Sequence, residues 1–216
     1  MKTKSKILLL MLCAVALVAA SVLGTLAYLT SQDTVTNTFT VGKVQIKLDE
    51  AKANADGSLV PNADRVKENS YKLLPGLTYN KDPMVTVLEG SERSYIKMTV
   101  TFSKAAELDA IFAPNGADMT SIFNGYDGAN WIAKGNTEDT GANTRTYEFW
   151  YKEAVAAPDA DVPLDALFDS ITVPGTITGD QLATIAGMTI TVNAYAIQAD
   201  GFADAADAWD NFKFGA

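Results

Sequence analysis

The segment Tyr95–Phe102 (YIKMTVTF) alternates without a break: Ile96, Met98, Val100 and Phe102 on one side, Tyr95, Lys97, Thr99 and Thr101 on the other. Side chains of an extended chain point to opposite faces at every step, so this stretch can satisfy both halves of its pattern only as a strand with one buried and one wet face. The same period recurs along the chain. Val44, Ile46 and Leu48 alternate with lysines and a glutamine, Met84–Leu88 (MVTVL) follows Pro83, and Tyr147, Phe149 and Tyr151 share a face within Arg145–Lys152. Trp131–Lys134 is a further short strand, and Met188–Ala196 (MTITVNAYA) reads as a core strand with Met188, Ile190 and Val192 aligned. Short strands at this spacing are the pattern of an all-β sandwich.

Connections carry turn chemistry or a change of period. Asp49–Asn69 is a polar loop containing the turn former Ala55-Asp56-Gly57, and Tyr71–Leu77 holds a Pro-Gly turn. Glu89–Ser94 (EGSERS) reads as a hairpin connection into the strand at Tyr95. Ser103–Phe112 shifts to helical spacing through Leu108, Ile111 and Phe112, with Ser103 as the expected N-cap. Asp118–Tyr126 is expected to form a helical turn, and Thr178–Gly187 a short helix between a threonine cap and a glycine stop. Short helices therefore sit in the connections of a β domain.

The N-terminus obeys different rules. Met1–Lys6 (MKTKSK) is basic, and Ile7–Leu23 is an apolar run of 17 residues. Thr25 and Ala27 place small residues where a signal peptidase inspects the chain, which puts cleavage between Ala27 and Tyr28. Residues 1–27 are thus read as a signal peptide that meets the membrane only while uncleaved, and the rest as a secreted protein. Just beyond it, Val35, Phe39 and Val41 alternate with threonines, and at Gly42 the phase flips to Val44, Ile46 and Leu48. A face change at a glycine marks a bulge in one strand, or a hinge between strands paired to different partners. Residues 28–42 are accordingly set apart from a domain over 43–216.

Composition removes several functions. The only cysteine, Cys13, lies in the apolar run, so no disulfide can staple the domain. The chain has no histidine, which removes Ser-His-Asp and Cys-His catalysis and imidazole-ligated zinc. Residues after 27 hold 14 basic and 26 acidic side chains, a balance of −12 that repels nucleic-acid phosphates. Asp200, Asp204, Asp207 and Asp210 recur at helical intervals, but the order of known calcium loops is missing. They read as the solvated face of a helix whose Phe202, Trp209 and Phe212 pack inward. Tyr147, Trp150 and Tyr151 are a possible stacking platform for a glycan, and more simply core residues with one exposed neighbour. No catalytic residue, metal ligand or cofactor site is expected.

Four segments in order resemble the secreted TasA/camelysin group of Gram-positive bacteria. They are GTLAYLTSQDTVTNTFTVGKVQIKLDE, LLPGLTYNKDPMVTVLEGSERSYIKMTV, LFDSITVPG and ITVNAYAIQADGFADAADAW. The resemblance implies a jelly-roll-like antiparallel β-sandwich, a leader removed by a dedicated SipW-type signal peptidase, and a role as a subunit of biofilm-matrix fibres. Assembly would be head-to-tail by donor-strand complementation, with about Asp33 to Val41 as the donor strand and Gly42 as its hinge. An accessory matrix protein is a further partner the group implies. The alternative is a monomeric secreted or cell-surface module that binds matrix polysaccharide or protein. Camelysin-like members are also described as casein-cleaving metalloproteases, but without histidine this chain is not expected to be an enzyme.

Overall fold

The computed structural model describes residues 3–28, 42–112 and 122–212. The chain divides into two compact units, Met1–Val41 and Gly42–Ala216. In the first, helix α1 (Thr3–Tyr28) ends on Ala27 and Tyr28, the residues flanking the expected cleavage site. Over residues 3–19 its apolar side chains find no buried face: Leu8, Leu10 and Leu17 are all more than 70 % exposed. Val35, Phe39 and Val41, the expected donor face, lie outside the described residues.

The second unit is mostly β, and its strand pairings are antiparallel. Its longest strand, β4 (Ser91–Ser103), pairs with β11 (Ile190–Gln198) on one side. On the other side it pairs with β7 (Thr144–Tyr151), and β8 (Val155–Ala157) takes over where β7 ends. Strand β6 (Trp131–Asp139) joins β7 and completes the sheet. Two smaller sheets have the orders β1-β3-β9 and β2-β10-β5. The first comprises β1 (Ile46–Asp49), β3 (Met84–Val87) and β9 (Val162–Pro163). The second comprises β2 (Thr78–Asn80), β5 (Phe123–Asn124) and β10 (Ser170–Thr172).

The alternation read at Tyr95–Phe102 is realised in full: Ile96, Met98 and Val100 are completely buried and Phe102 nearly so. They pack in one cluster with Val85 and Val87 of β3, Tyr147 and Phe149 of β7, and Phe123 and Ile171 of the third sheet. Phe123 stacks on Phe168 with centroids 4.1 Å apart, and Phe102 meets Tyr147 edge to face.

Four expectations are corrected. Glu89–Ser94 is not a hairpin connection, because β3 and β4 belong to different sheets. The chain turns a corner there, with Gly90 at φ +75° and its N–H bonded to Ala157. The Met188–Ala196 segment does pack Met188, Ile190 and Val192 on the core as read, but its strand, β11, is an outermost one and these residues are only half-buried. Phe123–Asn124, placed above in a helical turn, is strand β5; residues 118–121 lie outside the described residues. Helix α2 (Ala105–Phe112) does not take Ser103 as its cap. Ser103 is the last residue of β4, where its hydroxyl accepts the Thr189 N–H at 2.7 Å.

The cap comes from Asn143, in the turn joining β6 to β7: its carbonyl accepts the Ala105 N–H and its Oδ1 the Ala106 N–H. Lys104 bridges strand to helix at φ +56°, and its ammonium caps the Thr184 and Ala186 carbonyls after α3 (Gly179–Thr184). Thr178 caps α3 as read, in a reciprocal capping box with Gln181. Helix α4 (Ala205–Asn211) closes the described chain.

Asn143 is itself left-handed, at φ +51°. Asn143→Ala should therefore lose both the cap and a side chain that tolerates this conformation, costing about 2 kcal/mol. Asn143→Gly keeps the backbone freedom and should cost about half as much. Urea denaturation of the two variants checks that order.

Candidate functional site

The edge position of β11 has a consequence for the second unit. A cleft of about 1000 Å³ opens beside it, large for a small-molecule site. Ile190 and Val192 of β11 line it, with Leu48 from β1, Tyr79 and Ile171 from β2 and β10, and Leu182 from α3. β1 and β11 are each the end strand of their sheets, and no described strand pairs with the outer side of either. Beyond Asp49 the edge of β1 is closed: Glu50 exchanges two backbone hydrogen bonds with Val66, and the Lys67 ammonium sits on the Leu48 carbonyl. Along Ile190–Val192 no such device is present among the described residues. An apolar cleft next to an outermost strand offers both things an added strand needs, backbone partners and pockets for every second side chain.

The rim on the β1 side is charged. Arg65 reaches from the polar loop to Asp49 Oδ1 (2.6 Å) and Asp82 Oδ2 (2.8 Å), and donates to the backbone carbonyls of both. Asp82 in turn accepts the Ala51 N–H. Burial alone would raise the Asp49 carboxyl, but hydrogen bonds from Lys47 and Arg65 outweigh it and hold the group below its ordinary value of 3.8. Next to this cluster, Lys81 and Glu50 form a pair at 2.5 Å, 8 % and 6 % exposed. Composition could not reveal this rim. Its partners come from a loop that reads only as polar and are 16 to 31 residues apart in sequence.

Gly42 opens the second unit, and the chain is pinned immediately after it. Glu92 donates its N–H to the Lys43 carbonyl, and Ser91 Oγ accepts the Gln45 N–H. A Cβ at position 42 would come within 2.7 Å of Glu92 Cγ, so glycine serves close approach here rather than an unusual φ.

Two of the C-terminal aspartates are occupied locally: Asp204 caps α4 by accepting the Asp207 N–H, and Asp207 accepts the Ala203 N–H; Asp200 lies before the helix, near Arg93. Among the described residues no group of three or more acids or cysteines is placed to hold a metal ion. Tyr147 and Phe149 are core and Tyr151 packs on Trp131. Trp150, on the opposite face, is engaged by the Lys134 ammonium 4.1 Å from its ring centre, by a hydrogen bond from its Nε1 to Glu148, and by Trp209. A sugar stacking on Trp150 would have to displace the lysine. Beside it, Lys97 sits 4.6 Å over Trp209 and holds the C-terminal helix against the sheet.

No protein family model, no curated protein and no solved structure matches the chain.

Asp49 titrates below its unfolded value, so its stabilisation is present above about pH 4 and is lost as pH falls through the folded pKa. Asp49→Asn should cost about 2 kcal/mol at pH 7 by removing charge-assisted hydrogen bonds. Chemical denaturation from pH 7 down to pH 2.5 should show the gap between variant and parent shrinking below pH 4.

Proposed function

We propose that the protein is an exported structural subunit that assembles by β-strand addition into extracellular fibres. In this reading the domain is a jelly-roll-like sandwich whose layers are the five-stranded sheet and the two smaller sheets, with the cleft at an incompletely closed side. The observation that carries the reading is the cleft itself, bounded by the outermost strand β11. The occupant is the segment from Asp33 to Val41 of a neighbouring copy. It is nine residues long, and an extended chain of that length spans about 30 Å, ample to run past Ile190–Val192 and along the cleft. Its Val35, Phe39 and Val41 supply alternate apolar side chains for the cleft, and the intervening threonines face water.

Export is supported by α1, an apolar helix with Lys4 and Lys6 in its first turn, whose apolar side chains up to residue 19 find no buried face. The occupied ring of Trp150 counts against the glycan-binding alternative. The protein is proposed to be a non-enzyme, with other copies of itself and an accessory matrix protein as partners.

Deleting residues 28–41 should leave a folded domain that stays monomeric at concentrations where the chain starting at Tyr28 forms sedimenting polymer. Circular dichroism establishes folding, and analytical ultracentrifugation the size. Polymer from the deletion variant would refute the donor-strand assignment.

A further inference from the structure

The two oxygens of the Glu50 carboxylate hold two different nitrogens: Oε2 takes the Lys81 ammonium at 2.5 Å, and Oε1 takes the Asn69 side-chain amide at 3.0 Å. Asn69 is fixed in orientation, because its Nδ2 also donates to the Ala51 carbonyl at 2.9 Å while its Oδ1 accepts the Ala53 N–H at 2.9 Å. That assignment has no flipped alternative, since reversing the amide would set donor against donor at Ala53 and acceptor against acceptor at Ala51 and Glu50. Lys81 and Glu50 are more than nine-tenths buried, and Tyr71 and Tyr79 pack edge to face beside them. A buried ion pair needs its remaining lone pairs satisfied, which Asn69 Nδ2 does for Glu50 Oε1, but it does not need the amide oxygen held by a backbone donor, as Asn69 Oδ1 is by Ala53.

We propose that Lys81, Glu50 and Asn69 form a self-modifying site that joins Lys81 Nζ to Asn69 Cγ as an intramolecular isopeptide bond. Glu50 takes a proton from the Lys81 ammonium, and the desolvated amine attacks Cγ. The carbonyl electrons move onto Oδ1, where the Ala53 N–H stabilises the developing charge. The Cγ–Nδ2 bond then breaks, and Glu50 relays to the departing nitrogen the protons that Nζ gives up. One ammonium and one primary amide become one secondary amide and one ammonium, with no oxidant or cofactor. Fixed neighbours replace a bimolecular encounter, which is where most of the acceleration of such a reaction arises. The bond would tie the loop carrying Arg65 and Asn69 to the residue following β2, bracing the charged rim of the cleft.

The test is peptide mapping of the folded, purified full chain by mass spectrometry. The expected result is an intact mass about 17 Da (one ammonia) below the sequence value. Trypsin should then yield Glu68–Lys72 covalently joined to Leu73–Arg93, uncut at Lys81. In Asn69→Ala the same digest should show Lys81 cleaved and no ammonia lost. Recovery of Glu68–Lys72 and a separate peptide ending at Lys81 from the parent chain would overturn the proposal. So would an ammonia loss with Lys81 still cleaved, which marks ring closure at Asn69-Ser70 instead.

Discussion

Strand β4 is the constraint on which the second unit depends. It is hydrogen-bonded along both sides, to β11 and to β7 and β8, while its inner face supplies Ile96, Met98, Val100 and Phe102 to the core. A strand used on both edges and one face has no freedom of register, because a slip of one residue would expose all four apolar side chains and bury lysine and threonine. The outer face is equally committed: Lys97 pairs with Glu148 and lies over Trp209, and Thr101 bonds Thr146 across to β7. Elements that do not pair with β4 are arranged around it, including the sheet of β3, whose Val85 and Val87 meet its buried face.

What this arrangement leaves open is as informative as what it closes. β4 uses β11 as a partner on one side only, and β11 passes its other edge and the residues Ile190 and Val192 to the cleft. The opposite edge strand, β1, is blocked at its far end by Val66 and Lys67 and braced by Arg65 between Asp49 and Asp82. One rim is thus charged and cross-braced, and the other, along Ile190–Val192, is an unpaired strand edge. Under the proposed strand addition, an incoming extended segment would pair along β11 at Ile190–Val192, while the far end of β1 is already blocked.

Strand faces were legible in the sequence wherever a strand is half-buried, because alternation reports directly which side meets the core. Partners were not. Nothing in EGSERS distinguishes a hairpin from a corner between sheets, and nothing in MTITVNAYA says that its strand ends a sheet. Strand β6 was read only over its first four residues, since its remainder (GNTED) is exposed and polar and carries no period. The helix at Ala105 was visible by its spacing, but its cap lies 37 residues away in Asn143. The rim charges Asp49, Glu50 and Lys81, and the Arg65 and Asp82 that brace Asp49, were hidden for the same reason: burying charges requires partners from distant loops, and a single chain read locally shows only polarity. The cleft has no local signature at all, being the space between elements far apart in sequence.

The central claim is that β11 receives a strand from another copy, and hydrogen exchange reads that event at the backbone. The chain beginning at Tyr28 would be labelled as dilute monomer and again after assembly, following Ile190–Gln198. Strand addition predicts that amides of β11 become strongly protected on assembly, while β4, already bonded on both sides, changes little. Fibres in which Ile190–Gln198 exchanges as fast as in the monomer, or a chain that remains monomeric at every concentration, would contradict it.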